Sequence, residues 1–129
     1  MNAAALIAAG VRALQAKDLA RADAYLRDAV ALAPDDANAA IAFGVVLALK
    51  QQSADAILHL QRGTQIAPTR IDAWCALGEI FLDRLDYRHA ATALERCLEL
   101  DPTGVHPHGV RARMLIKRAE RQLQPGRKL

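Results

Sequence analysis

Pro34, Pro68 and Pro102 stand 34 residues apart, and Gly10, Gly44 and Gly78 keep the same interval. A fixed period of that length means one supersecondary unit used three times, the pattern of a helical solenoid. When residues 3–36, 37–70 and 71–104 are written under one another, six columns are identical. They are Ala5/Ala39/Ala73, Ala8/Ala42/Ala76, the glycines, Ala22/Ala56/Ala90, Leu26/Leu60/Leu94 and the prolines. An alanine-rich composition can align alanines by chance, but it does not also bring glycine, leucine and proline into phase.

The columns have physical meanings. A glycine inside a helix costs about 1 kcal/mol relative to alanine. Keeping it three times implies close approach of a second helix, expected to carry Ala22, Ala56 or Ala90. Proline disfavours helix at the residue before it, so Pro34, Pro68 and Pro102 each end a helix. Between glycine and proline lies a polar break at Ala16-Lys17-Asp18, Gln51-Gln52-Ser53 and Leu85-Asp86. Each unit therefore reads helix, short turn, helix, stop.

The third unit carries Trp74, Leu77, Gly78, Phe81, Tyr87, Ala90, Leu94, Cys97 and Pro102, in a spacing that resembles the tetratricopeptide repeat. Where that family favours large residues, the first unit has Leu6 and Ala13 and the second has Ala40 and Leu47. Small residues stand late in each second helix, at Ala29, Gly63 and Cys97, as in the family. The resemblance spans residues 3–104. It implies an all-α fold: a right-handed superhelical stack of three helix-turn-helix repeats with a seventh, capping helix. It also implies that the first helices of the units line a concave groove. Trp74 is expected to be buried between the two helices of the third unit.

At 129 residues the chain suits a single domain over 1–129, able to bury about 65% of its unfolded surface. Hydrophobic content of 53% with 4% aromatic residues fits an alanine- and leucine-rich helical stack. No apolar run approaches the ~18 residues of a membrane span. The apolar N-terminus lacks a basic start, is interrupted by Arg12 and already follows the repeat phase, so it does not read as a signal peptide. Cys75 and Cys97 form no disulfide framework and read as buried, reduced thiols of a cytoplasmic protein.

The charge is unevenly distributed. Residues 1–104 hold ten Lys/Arg against thirteen Asp/Glu, and residues 105–129 hold seven against one. Pro107 suits a first helical turn, and His108 to Leu123 reads as the seventh helix, about 107–123. Ala112, Leu115, Ile116, Ala119 and Leu123 form its apolar stripe. Arg111, Arg113, Lys117, Arg118 and Arg121 cover the rest, and Val110 and Met114 fall among them. The helix reads as a cap on the last repeat. Its alternative role is contact with nucleic acid or an anionic surface through Arg113, Lys117 and Arg121, a reading disfavoured by the absence of interleaved aromatics. Residues 124–129 read as a frayed end.

No pattern points to catalysis. There is no glycine-rich phosphate loop, no nucleophile motif and no cofactor signature. His106 and His108 flank Pro107 without further metal ligands nearby. His59 and His89 occupy different phases of their units, and the carboxylates read as scattered along helix exteriors. Asp35 and Asp36 read as N-caps of the next helix.

The informative surface lies on the first helices. Leu6, Ala9, Gly10 and Ala13, with Ala40, Phe43, Gly44 and Leu47 and with Trp74, Leu77, Gly78 and Phe81, face their own second helices. A second set stands round the helix: Ile7, Val11 and Leu14; Ile41, Val45 and Leu49; Cys75, Glu79 and Leu82. A helix apolar nearly all round is buried or awaits a partner. Ala8, Ala42 and Ala76 are expected to absorb part of this face between neighbouring first helices. The resemblance places the second set on the groove wall. Family members that hold the acidic tails of heat-shock chaperones use a clamp of Lys, Asn and Arg. Here Ile7, Val11, Ala42, Asp72 and Ala76 stand in those places, which disfavours that role.

The expected function is non-enzymatic binding of a partner helix or extended segment with aliphatic anchors. Size, repeat number and groove character also resemble the small tetratricopeptide chaperones of bacterial type III secretion. The competing readings are a scaffold or self-associating assembly factor, and binding through the basic helix.

Overall fold

The computed structural model describes residues 1–124. It contains seven helices: α1 (Ala3–Gln15), α2 (Leu19–Leu32), α3 (Ala37–Leu49), α4 (Ser53–Ile66), α5 (Ile71–Asp83), α6 (Tyr87–Glu99) and α7 (Pro107–Leu123). No strand occurs among the described residues. Of the frayed end expected at 124–129, all but Gln124 lies outside them. The chain's contacts divide it into two compact units, Met1–Pro68 with α1–α4 and the residues from Thr69 onward with α5–α7.

Helix starts follow from short polar side chains. Asn2, Asp18, Asp36 and Asp86 each accept a hydrogen bond from the backbone N–H three residues on, at 2.8, 3.1, 3.2 and 3.3 Å, the geometry that satisfies an orphan donor. Asp35 does not share this task. It accepts instead from Arg62 of α4 at 2.6 Å.

The turn inside each repeat has a shared device that its residue types do not announce. Lys17, Gln51 and Leu85 stand 34 residues apart and all take a left-handed backbone, with φ of 62°, 64° and 61°. The following N–H groups of Asp18, Gln52 and Asp86 return to the carbonyls of Ala13, Leu47 and Phe81 at 2.9, 2.8 and 2.9 Å. This is the Schellman closure, normally given to glycine. The repeat accepts the steric cost of a side chain there because two otherwise unpaired carbonyls are satisfied.

In the first unit α1 packs on α2, α3 on α4, and α2 on α3. Leu6, Ala29 and Ala39 form a core patch, with Ile7, Tyr25 and Val30 packed against it. The repeated glycines admit the close approach of the second helices, with leucines nearest and the Ala56 carbonyl also against Gly44. A Cβ on Gly10 would lie 2.5 Å from Leu26 Cγ and one on Gly44 2.7 Å from Leu60 Cγ. In the second unit Gly78 faces Leu94 in the same way. Leu26, Leu60 and Leu94 are all fully buried.

In the second unit α7 packs against both α5 and α6. It turns Gly109, Ala112, Ile116 and Ala119 inward, while Leu115 is half-buried and Leu123 is exposed. Asp101, itself buried, shapes the connection by accepting from the N–H groups of Val105 and His106 at 3.2 and 3.0 Å. Trp74 departs from expectation. It is half-buried rather than buried between the two helices, with the Arg96 guanidinium of α6 over its ring at 5.9 Å from the centroid.

Candidate binding surface

On α3, Asn38, Ala42, Val45 and Leu49 follow one another at i, i+4, i+7 and i+11 and share a face. The same register on α1 gives Ala4, Ala8, Val11 and Gln15. These two helices also touch within the first unit. Val11, Ala42 and Val45 are half-buried and Ala4, Ala8, Gln15 and Asn38 exposed. Leu49 leaves 54% of its surface open. Ile7 and Leu14 are half-buried beside them. The result is an aliphatic surface on the first helices of the first unit.

Four of the nine residues expected on the groove are placed otherwise. Ile41 is only 3% exposed because α4 approaches at Gly63, where a Cβ would come within 2.5 Å of Ile41 Cγ1. It belongs to the core between α3 and α4. Cys75 and Leu82 are buried. The Cys75 and Cys97 thiols both donate to the His108 carbonyl at the start of α7, at 3.7 and 3.5 Å. The neighbouring Cys97 thiol, with burial, pushes Cys75 well above the ordinary thiol range, which keeps it unreactive. Both cysteines are free. Glu79 is ion-paired with Arg111 of α7. In the second unit, therefore, Cys75 and Glu79 of α5 are engaged by α7.

Ala8 is exposed while Ala42 and Ala76 are half-buried, and Ala39, fully buried, packs with Leu6. The signal for Ala8 and Ala42 on this face was their spacing, three residues before Val11 and Val45. The matching register on α5 is Asp72, Ala76, Glu79 and Asp83, acidic where the first unit is aliphatic. Asp72 is bound by Arg70 at 2.8 Å. Burial acts to raise its pKa, but the guanidinium prevails and holds it below the ordinary value.

One buried charge supports the C-terminal end of the α3 face. Asp23 of α2, read as an exterior carboxylate, is 5% exposed. It accepts from Lys50, the residue after Leu49, at 2.7 Å and from Arg27 at 3.1 Å. Burial raises its pKa, yet hydrogen bonds from Lys50 and Arg27 outweigh burial and lower it. A carboxylate whose folded pKa lies below the unfolded value of about 3.9 stabilises above that value and loses the contribution as pH falls through the folded one. Asp23→Asn is expected to cost about 1–2 kcal/mol at neutral pH, because both partners are partly exposed. Urea titrations should show the gap between variant and wild type closing below pH ~4. A gap independent of pH would remove the ion pair from the account.

The remaining polar residues form no reactive group. His106 Nδ1 accepts from the His108 N–H at 3.1 Å and serves as the N-cap of α7. Among the described residues no three His, Cys, Asp or Glu side chains are placed to hold a metal ion, and no helix is long and apolar enough to cross a membrane. Arg113, Lys117 and Arg121 are exposed on α7.

Residues 71–103 match the tetratricopeptide repeat family, and no curated protein matches the sequence. Among solved structures, the tetratricopeptide domain of Sgt2 from Aspergillus fumigatus is similar at 19% identity, over 98% of this chain and 87% of that one, with a TM-score of 0.82. The TPR2B domain of yeast Sti1, in complex with an Hsp70 peptide, is similar at 18% identity, over 93% and 97%, with a TM-score of 0.84. The Yersinia enterocolitica type III secretion chaperone SycD, in complex with a peptide of the translocator YopD, is similar at 15% identity, over 92% of both chains, with a TM-score of 0.82. The third unit is thus a tetratricopeptide repeat. The chain as a whole has the tetratricopeptide fold, three helix-turn-helix repeats followed by a seventh helix.

Proposed function

We propose that this chain is a non-catalytic protein-binding module. It takes a helix or extended segment with aliphatic anchors on the α1 and α3 face of its first unit. The observation that carries the reading is the aliphatic line from Val45 to Leu49, beside Val11, left open on helices whose other sides are buried. Leu49, 54% exposed, and the half-buried Val11 and Val45 offer apolar area that a partner would remove from water. The finer reading is a small chaperone or adaptor that keeps a partner segment covered. It draws support from the similarity in fold to SycD, which was solved with a peptide of YopD.

Val45→Glu places an unpaired charge where an anchor should sit, a larger cost than the lost contact alone. Binding of the co-purifying partner, followed by calorimetry, is expected to weaken at least ~tenfold, about 1.4 kcal/mol, with helical content unchanged. Gln61→Glu, at an exposed position on α4, should bind as wild type does. A folded Val45→Glu protein with normal binding would place the site elsewhere. If the variant instead lost only a concentration-dependent self-association, the face would be an assembly contact.

A further inference from the structure

We propose that the outer face of α7 is a second docking surface, built for an acidic protein segment with an aliphatic anchor. Covering the last repeat requires only the inner side of this helix, where Ala112, Ile116 and Ala119 are buried. On the opposite side Val110, Met114, Lys117 and Arg121 follow one another at i, i+4, i+7 and i+11. Met114 exposes 69% of its surface and Val110 44%. Arg113 and Arg118 flank the line, both exposed.

A cap that needs only solubility would mix charges of both signs and keep methionine inside. Here Met114 is exposed, and Glu120 is the single carboxylate among the cations of α7. Among the described residues none of Arg113, Lys117, Arg118 and Arg121 is held by a carboxylate, whereas Arg111 is spent on Glu79. Met114, Lys117 and Arg121 line a shallow depression of about 450 Å³ with Glu120 and Gln124. Like charges one turn apart on a helix oppose each other, and a polyanionic ligand relieves that opposition.

The chemistry of the face selects among anions. Nucleic acid gains from aromatic platforms for its bases; α7 has none, and Tyr87 of α6 stands beside Arg118 and Arg121, so an oligonucleotide serves as a competing probe. A bilayer would need a broad apolar face, but the apolar side of α7 is buried within its unit. A second copy offers exposed carboxylates at Asp83, Glu95 and Glu99, and self-association lost in Lys117→Glu/Arg121→Glu without peptide binding would overturn the proposal. An acidic segment with one aliphatic side chain matches both features, carboxylates for the cations and an anchor for Met114 and Val110.

The test uses the intact protein and a fluorescent synthetic peptide carrying Glu and Leu at helical spacing, read by anisotropy. Oligouridylate and phosphatidylserine vesicles serve as comparison probes. The peptide is expected to bind, with affinity falling as salt rises. Binding should weaken at least ~tenfold, about 1.4 kcal/mol, in Lys117→Glu/Arg121→Glu. It should also weaken in Met114→Ser and stay unchanged in Gln61→Glu, at an exposed position of α4. No peptide binding at low salt overturns the proposal. So does oligouridylate or vesicle binding that exceeds peptide binding and ignores Met114→Ser, and so does peptide binding that Lys117→Glu/Arg121→Glu leaves unchanged.

Discussion

Leu60→Ala is expected to destabilise the first unit by about 2–5 kcal/mol. Leu60 is fully buried in α4, and its Cγ would lie only 2.7 Å from a Cβ placed on Gly44. Glycine has already brought the two helices as close as their backbones permit, so little side chain remains on α3 to collapse into the space left behind. The cost should therefore lie well above simple transfer of the lost methyl groups. Small domains hold about 5–15 kcal/mol in all, so the urea midpoint should fall sharply. Leu58→Ala on the same helix, at a position 63% exposed, is expected to change stability by less than about 0.5 kcal/mol. Equal effects of the two changes would contradict the glycine-leucine contact as the centre of the repeat.

Removal of residues 107–129 is expected to expose the second unit and lead to aggregation. The deletion takes away the buried Ala112, Ile116 and Ala119, of which Ile116 alone contributes about 1.5–3 kcal/mol. It also strips the His108 carbonyl from Cys75 and Cys97 and leaves Glu79 without Arg111. Two thiols now closed off should then react with a soluble thiol reagent at rates approaching those of the unfolded chain. A monomeric truncated protein with wild-type melting and unreactive thiols would show that α7 does not hold this unit together.

The repeat and its helices were legible because they depend on local chemistry. Proline at a fixed interval ends helices, Asp36 starts one, and α7 spans Pro107–Leu123 as expected. The glycine column signalled the approach of the helices that carry Ala22, Ala56 and Ala90, although it did not show that Leu26, Leu60 and Leu94 fill the gap, since the phase of an alanine column cannot tell which side chain of the facing helix lies nearest. The left-handed turn residues escaped notice for a related reason. Lys17, Gln51 and Leu85 share a conformation but no chemistry, and the feature that unites them is a pair of backbone hydrogen bonds.

What the sequence by itself determined is the three-fold period, the helix boundaries and the existence of a second apolar face on the first helices. Only the tertiary structure decided which parts of that face stay open. Ile41 and Val45 are one helical turn apart and chemically alike, yet Gly63 brings α4 down on the first and leaves the second half-buried. Glu79 finds its cation 32 residues away, at Arg111. Asp23 finds Lys50 across 27 residues. Periodicity fixes the angle at which a side chain leaves its helix, but whether that direction meets solvent or another helix is set by elements distant along the chain.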